Sequence, residues 1–443
     1  MAGLCAARVL ADRFAEVVVV ERDELGPVPA DRRAVPQGRH LHALLMAGAR
    51  RLETWLPGLD GDLVDAGALL IDHGADIYWH QAGGERARFV SHEPHALCSR
   101  ALLEHTVRRR VLAIENVVLH HAGVEGVVAS ADGANVTGVR LTGGDVISGD
   151  LVVDATGRAC QSNKWLADLG YEPPPTSSVK IDMGYTTRSF RRRPDDTRDF
   201  RLALVIEDPP RMRMGVAAAV DGDRWMITLA GFHGDHAPTD LAGWLAFARS
   251  LPSPVIADIG EQCEPLGDAV THRMPASLLR HVERRRRVPG GLVLVGDAVA
   301  SFNPVYGQGM TSATGQAEAL AAAVDDARRF DARFVRDYHR RAARAVATPW
   351  QLSVSADFTL PETTGPRPRG AVVMVRYVRQ VLTAAHSDAV VSRAMLEVAQ
   401  LVRPPASLFA PSIVRRVLRA RRQRSFSSVR GAESAPLTLE NAR

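Results

Sequence analysis

Paired cysteines are what this chain most plainly lacks. Its four, Cys5, Cys98, Cys160 and Cys263, lie far apart and form no CxxC pair. That spacing excludes a zinc ribbon or a disulfide scaffold and points to a reducing, cytoplasmic setting. Long apolar runs are missing too, and the first residues lack the pattern of a cleaved signal, so no membrane span is expected. Lysine is almost absent: Lys164 and Lys180 are the only two, and arginine supplies the rest of the basic charge. The net charge of +5 is spread over 443 residues. Clusters such as Arg284-Arg285-Arg286-Arg287 therefore read as solvated surface, and no nucleic-acid partner is expected. No GxSxG elbow and no helical HExxH pair occurs. His92-Glu93-Pro94-His95, His120-His121 and His233-Gly234-Asp235-His236 are the candidate metal ligands, but proline breaks the first and none has helical spacing. No metal is expected.

What is present has the bulk of an ordinary globular protein, 46% hydrophobic and 24% charged, in a chain long enough for two or three lobes. The opening "MAGLCAARVLADRFAEVVVVERD" suggests the second half of a βαβ unit. Ala2 to Phe14 suits a helix packed on a sheet, and Val17 to Val20 is a short β-branched run ending in Glu21. A dinucleotide fingerprint needs a strand and two more glycines ahead of Ala2-Gly3, and only Met1 stands there. Prolines and a glycine break the segment after Glu21, and a helix is expected from about His42 to Trp55. "CSRALLEHTVRRRVLA" has apolar residues at helical spacing, with Ser99 as its N-cap. Short strands follow, the last of them Leu151-Val152-Val153. The middle third alternates apolar and polar residues around an Asp221-Gly222-Asp223 turn, the pattern of an antiparallel sheet with one ligand- or solvent-facing side. Met183, Tyr185, Trp225, Met226 and Phe302 are candidates to line an apolar cavity there. Leu292 to Val295 returns to a buried parallel-type strand, a helix begins near Met310, and the rest is mostly helical. The last twenty residues read as a frayed tail.

Three strand ends share one physical logic. Glu21 closes the first, where a carboxylate can accept both hydroxyls of an adenosine ribose. Gly157 stands beyond the second. Gly296-Asp297 closes the third, followed by Pro304-Val305-Tyr306-Gly307-Gln308-Gly309-Met310. There an aspartate can bind sugar hydroxyls, glycines admit a flat ring, and a helix N-terminus offers free N–H groups.

"VVVVERD", "RRAVPQGRHLHALL", "CSRALLEHTVR", "DLVVDATGR" and "LVLVGDAVASFNPVYGQGMTSA" resemble the FAD-dependent monooxygenases of the para-hydroxybenzoate hydroxylase fold. More narrowly they resemble the flavin epoxidases of bacterial polyether and polyketide pathways. The resemblance implies a mixed α/β protein. A glutathione-reductase-type, Rossmann-like FAD domain would occupy 1–170 and 286–350, an antiparallel substrate domain 171–285, and a helical region with a basic tail 351–443. It places Glu21 at the adenosine ribose, Arg100 beside the phosphates or ribitol, Asp297 on the ribityl chain, and Arg22 among the cofactor-binding residues. Pro304, Gly307, Gly309 and Met310 fall around the ring. Gly3 corresponds to the last fingerprint glycine, Val124 and Gly157 belong to the FAD groove, and Arg39 lies in the loop near the flavin. Because the fingerprint begins at its end, the N-terminus is expected to be truncated or assigned too far downstream, and the chain to hold FAD weakly. The family's Asp-Gly is Thr156-Gly157 here, so a nicotinamide-handling role is not carried over to that position.

The resemblance implies oxygen transfer from O2 to a small hydrophobic substrate through a flavin C4a-hydroperoxide. Electrons would come from NAD(P)H or a separate flavin reductase, since no second dinucleotide fingerprint occurs. The motifs contain no evident base, which suits epoxidation of an alkene better than hydroxylation of a phenol. Rival expectations are a double-bond reductase of the geranylgeranyl-reductase type and a non-catalytic remnant with impaired FAD binding. Halogenases of this fold carry WxWxIP, which is absent.

Overall fold

Val17 to Val20 cannot rotate freely about χ1 and are too few for a stable helix. They form a strand, and the way that strand is paired organises one half of the molecule. The structure is a computed structural model that describes residues 1–368 and 371–433. The elements that position the site are, in chain order, α1 (Ala2–Ala11), β1 (Val17–Glu21), β2 (Ile77–Gln81), α2 (Arg100–Leu112), β3 (Val117–His121), β4 (Val152–Asp154), β5 (Thr176–Arg191), β6 (Leu202–Ile206), β7 (Met214–Val220), β8 (Arg224–Phe232), α3 (Leu241–Arg249), α4 (Val255–Gln262), β9 (Val270–Arg280), β10 (Leu292–Leu294), α5 (Gln308–Asp325), α6 (Ala332–Asp357), α7 (Ala371–Ala384), α8 (Ala389–Ala399) and α9 (Pro411–Glu433).

The nucleotide-type half holds two parallel pairs, β1 with β3 and β4 with β10. Helix α1 packs Leu4, Cys5, Val9 and Leu10 into their shared core, together with Leu102 and Val107 of α2 and Leu320 of α5. Ser99 starts α2 by accepting a hydrogen bond from the Leu102 amide at 3.2 Å. β10 is buried throughout, whereas all five residues of β1 are only half-buried. The difference arises because β1, like β4, borders a cavity, whereas the residues of β10 are absent from its lining.

The second half is a mixed sheet, eight strands among the described residues, in the order Ala300–Ser301, β9, β5, β8, β7, β6, β2, Gly84–Glu85. Its centre is antiparallel, and the Asp221-Gly222-Asp223 turn joins β7 to β8 as the sequence indicates. β2 joins it parallel to β6, although it lies far upstream in the chain. One face packs on α3 and α4 through Phe190, Trp225, Ile227, Trp244 and Ile256.

Three local expectations are corrected. The helix expected from His42 begins at Met46. Its upstream amides have tertiary partners instead: Leu45 donates to Thr311 Oγ1 at 3.1 Å, and Met46 donates to Gln400 Oε1 at 2.9 Å. The frayed tail is corrected over its first ten residues, where α9 continues to Glu433, because extending a packed helix costs little once nucleated. The remaining ten lie outside the described residues. Trp225 and Met226 do not line a cavity: Trp225 alternates onto the helix-packed face, and Met226 packs with Ile71 and Leu97 at the strand end. No helix among the described residues is long and apolar enough to cross a membrane.

Candidate functional site

A cavity of about 2030 Å³ runs between β1 and β4, past the N-terminus of α5, and along one face of the eight-stranded sheet. At the β1 end, Glu21 is already engaged. One carboxylate oxygen accepts from the Asp23 amide at 2.9 Å, and the other pairs with Arg32. Arg32 also reaches Glu104 at 2.5 Å, and Glu104 in turn receives Arg100 at 3.3 Å. The Nε of Arg100 is buried without a partner. Burial lowers the Arg100 pKa from its ordinary value, opposed by Glu104 and Asp297. At the end of β4, Asp154 accepts from the Thr156 amide at 2.8 Å, the Thr156 hydroxyl at 2.6 Å and the Ser162 amide at 3.1 Å. The carboxylate in DATGR thus shapes the turn that carries Gly157.

Beyond β10 the Gly296 amide donates to Gln316 Oε1 at 2.9 Å, tying the Gly-Asp turn to α5. The Asp297 side chain borders the cavity with no hydrogen-bond partner among the described residues. Burial raises its pKa, and Arg100 and Arg158 oppose that rise. Gly307 takes a left-handed conformation (φ 64°) that a β-carbon would strain, and no side chain caps α5. A β-carbon added at Gly309 would meet nothing within 4 Å. The loop between is fixed from behind. Asn303 Nδ2 donates to Asp357 Oδ1 at 2.7 Å, and the Tyr306 hydroxyl donates to the same oxygen at 3.2 Å. Burial pushes the Asp357 carboxyl up to about 7, against those two bonds, and its Oδ2 has no partner.

Strand alternation builds the remaining wall. Met183 and Tyr185 of β5, Ala230 of β8, Met214 of β7, Leu204 of β6 and Trp79 of β2 are cross-strand neighbours on one face and border the cavity. Phe302 joins them from the loop after β10. The "HLH" segment adds two histidines, His40 buried and His42 half-buried. His40 Nδ1 meets Thr187 Oγ1 at 2.7 Å, and His42 Nδ1 donates to the His40 carbonyl at 2.9 Å. Burial drives both below the usual histidine range, His40 to about 3 and His42 to about 4, with Arg100 adding to the effect on His42.

Gly3, Glu21, Arg22, Arg100, Val124, Gly157, Asp297, Pro304, Gly307, Gly309 and Met310 all border this one cavity. Arg39 departs from expectation. The tight turn Pro36–Arg39 buries Gly38 and leaves Arg39 exposed, away from the lining. Sequence reasoning missed His272, Arg158 and Asp357. His272 sits two residues from Met274 in an alternating strand, so period-two counting from Met274 could have placed it on the cavity wall. Asp357 carried no local signal.

No family model matches the chain. Among solved structures it is similar to p-nitrophenol 4-monooxygenase PnpA of Pseudomonas putida DLL-E4, with TM-score 0.62 and 18% identity over 90% of this chain and 95% of that one. It is similar also to a triple mutant of the flavin-dependent brominase Bmp2, with TM-score 0.61 and 15% identity over 90% and 92%. A third is PqsL of Pseudomonas aeruginosa, a probable FAD-dependent monooxygenase, with TM-score 0.58 and 18% identity over 89% and 96%. The chain therefore has the mixed α/β fold of the FAD-dependent monooxygenases. Protein Rv3254 of Mycobacterium tuberculosis is 34% identical over an alignment of 418 residues, which takes in 88% of this chain and 86% of that protein. On that identity and coverage, the chain belongs to the family of Protein Rv3254.

Proposed function

We propose that the chain is a FAD-dependent monooxygenase that epoxidises or hydroxylates a small hydrophobic molecule of polyketide or isoprenoid type. One observation carries this reading: Glu21, Arg100, Asp297 and Gly307, assigned by resemblance to successive parts of FAD, border the same cavity as an apolar sheet face. The donor set fits the cofactor. Asp297 has a free carboxylate for ribityl hydroxyls, Arg100 a buried unpartnered Nε for a phosphate, and α5 uncapped amides for a ring that gains negative charge on reduction. Glu21 would keep lone pairs for the ribose while Arg32 holds it in place.

Bound FAD, reduced by NAD(P)H or a separate flavin reductase, supplies the activation of O2. The chain's own residues bind, orient and keep the site dry. Asp297 would hold the ribityl chain, and the Asp357 contacts fix the loop of Asn303 and Tyr306 that would border the ring. Met183, Met214 and Phe302 exclude water from the substrate side. The four cysteines are buried and unpaired, in keeping with a cytoplasmic location.

The test is FAD titration followed by turnover under labelled O2. We expect saturable quenching of flavin fluorescence and a product heavier by one labelled oxygen. Saturated double bonds without oxygen uptake would instead identify a double-bond reductase, and failure to bind FAD would identify a non-catalytic remnant.

A further inference from the structure

The apolar face of the sheet is interrupted at one corner. Tyr185 and His272 are direct cross-strand partners on β5 and β9, with ring centroids 5.4 Å apart, and both border the cavity. Tyr185 is 6% exposed, yet its hydroxyl has no hydrogen-bond partner among the described residues, and neither ring nitrogen of His272 has one. Leaving such groups unpaired beside apolar walls costs free energy unless something entering the cavity satisfies them.

Behind the pair runs a connected set of hydrogen bonds. His40 packs edge-on against Tyr185 with centroids 4.4 Å apart, and its Nδ1 meets Thr187 Oγ1 at 2.7 Å. Thr187 in turn meets Thr228 Oγ1 at 2.7 Å. The three rings thus form one cluster, with His40 and His272 6.0 Å apart and the Tyr185 hydroxyl free. Burial keeps the phenol protonated, and burial with Arg158 nearby keeps His272 neutral. The Arg158 guanidinium is committed to Ser301 Oγ at 2.8 Å and the Ala276 carbonyl at 2.7 Å. The corner therefore presents one O–H donor and one imidazole able to donate or accept, with Arg158 committed elsewhere and Arg273, the residue after His272, exposed beside the cavity.

We propose that Tyr185 and His272 are specificity-determining residues that anchor a neutral hydroxyl or carbonyl oxygen on the substrate, with its apolar body lying along Met183, Met214 and Leu204. This rests on the cavity being the substrate site of the proposed oxygenase. A hydroxyl can accept from Tyr185 and donate to His272, and a carbonyl can accept from both. A hydrocarbon leaves both unpaired, and for a carboxylate the Arg158 guanidinium is already committed.

The experiment is calorimetric binding of acetylnaphthalene, ethylnaphthalene and naphthoate to the full chain, with and without FAD. Two hydrogen bonds predict that the ketone binds about tenfold more tightly than its hydrocarbon isostere. That preference is expected to fall to about twofold in Tyr185→Phe and in His272→Leu while affinity for ethylnaphthalene holds. Thermal melts and FAD titration of each variant report folding and cofactor binding separately. Should His272→Leu fold poorly, Tyr185→Phe, which changes one oxygen, decides alone. A preference that survives both variants, naphthoate binding more tightly than the ketone, or no binding of any probe overturns the proposal. A chain that binds no FAD but keeps the ketone preference overturns the cofactor reading and leaves the anchor standing.

Discussion

The two faces of the eight-stranded sheet treat the same kinds of residue in opposite ways. On the helix-packed face, Trp225 donates through Nε1 to Asp196 at 2.8 Å, Tyr78 meets Ser253 at 3.0 Å, and Thr186 donates to the Ala237 carbonyl at 2.7 Å. On the cavity face, Tyr185 is as buried an aromatic, but its hydroxyl faces open space. Pairing these tips on the helix-packed face serves stability. A face that holds a polar tip unpaired, at a cost to stability, is built to be completed by a ligand.

That contrast can be broken by substitution. Trp225→Ala on the packed face is expected to cost about 3–5 kcal/mol, seen as a large fall in Tm. Leu204→Ala on the cavity face is expected to cost about 1 kcal/mol, because its side chain already borders space. Equal losses in urea melts would mean that the two faces do not differ. A second effect concerns the cofactor end. Asp297→Ala is expected to weaken FAD binding by roughly ten- to a hundredfold, the worth of about 1.5–3 kcal/mol for hydrogen bonds to a charged group. The same change should not lower the stability of the apoprotein, because burial disfavours that carboxylate in the folded state.

A smaller effect follows from Asp357. Its folded pKa of about 7 lies above that of an unfolded aspartate, so the carboxyl favours folding most when protonated. Its contribution is fullest below about pH 4 and is lost as pH rises towards 7. His40 and His42 act in the other sense, since their lowered values make folding less favourable as pH falls below about 6.5. The difference between wild type and Asp357→Asn isolates the carboxyl. At pH 7.5 the variant should melt roughly 2–4 °C higher, and the gap should narrow at pH 5 and close below about pH 4. A constant gap would assign the difference to packing. Smallest of all, Arg39→Ala should leave FAD affinity within about twofold, as expected of an exposed side chain outside the cavity.

Local chemistry made much of this legible. The Ser99 cap, the Asp221-Gly222-Asp223 turn, the helix-like opening and the glycine-flanked loop after Asp297 follow from side chains a few residues apart, and the structure has them. Burial was harder to read. The sequence offers Met183, Tyr185, Trp225 and Met226 as one group, yet alternation divides Tyr185 from Trp225 across the sheet. The position of Met226 near the strand end then removes it from the cavity. His272 escaped notice because a lone histidine in a strand has no local partner, and its neighbour Tyr185 arrives only through strand pairing.

From residue order alone came the strand-end carboxylates Glu21 and Asp297, the uncapped glycine entry to α5 and the alternating middle strands, since each depends on backbone preferences and near neighbours. Tertiary structure alone decided that Arg32 claims Glu21, that Asp357 stands behind Asn303 and Tyr306, and that Tyr185 faces His272. Arg32 reaches Glu21 across a loop, and the other contacts join segments remote along the chain. Their geometry is set by sheet register and helix packing, which no short stretch of sequence encodes.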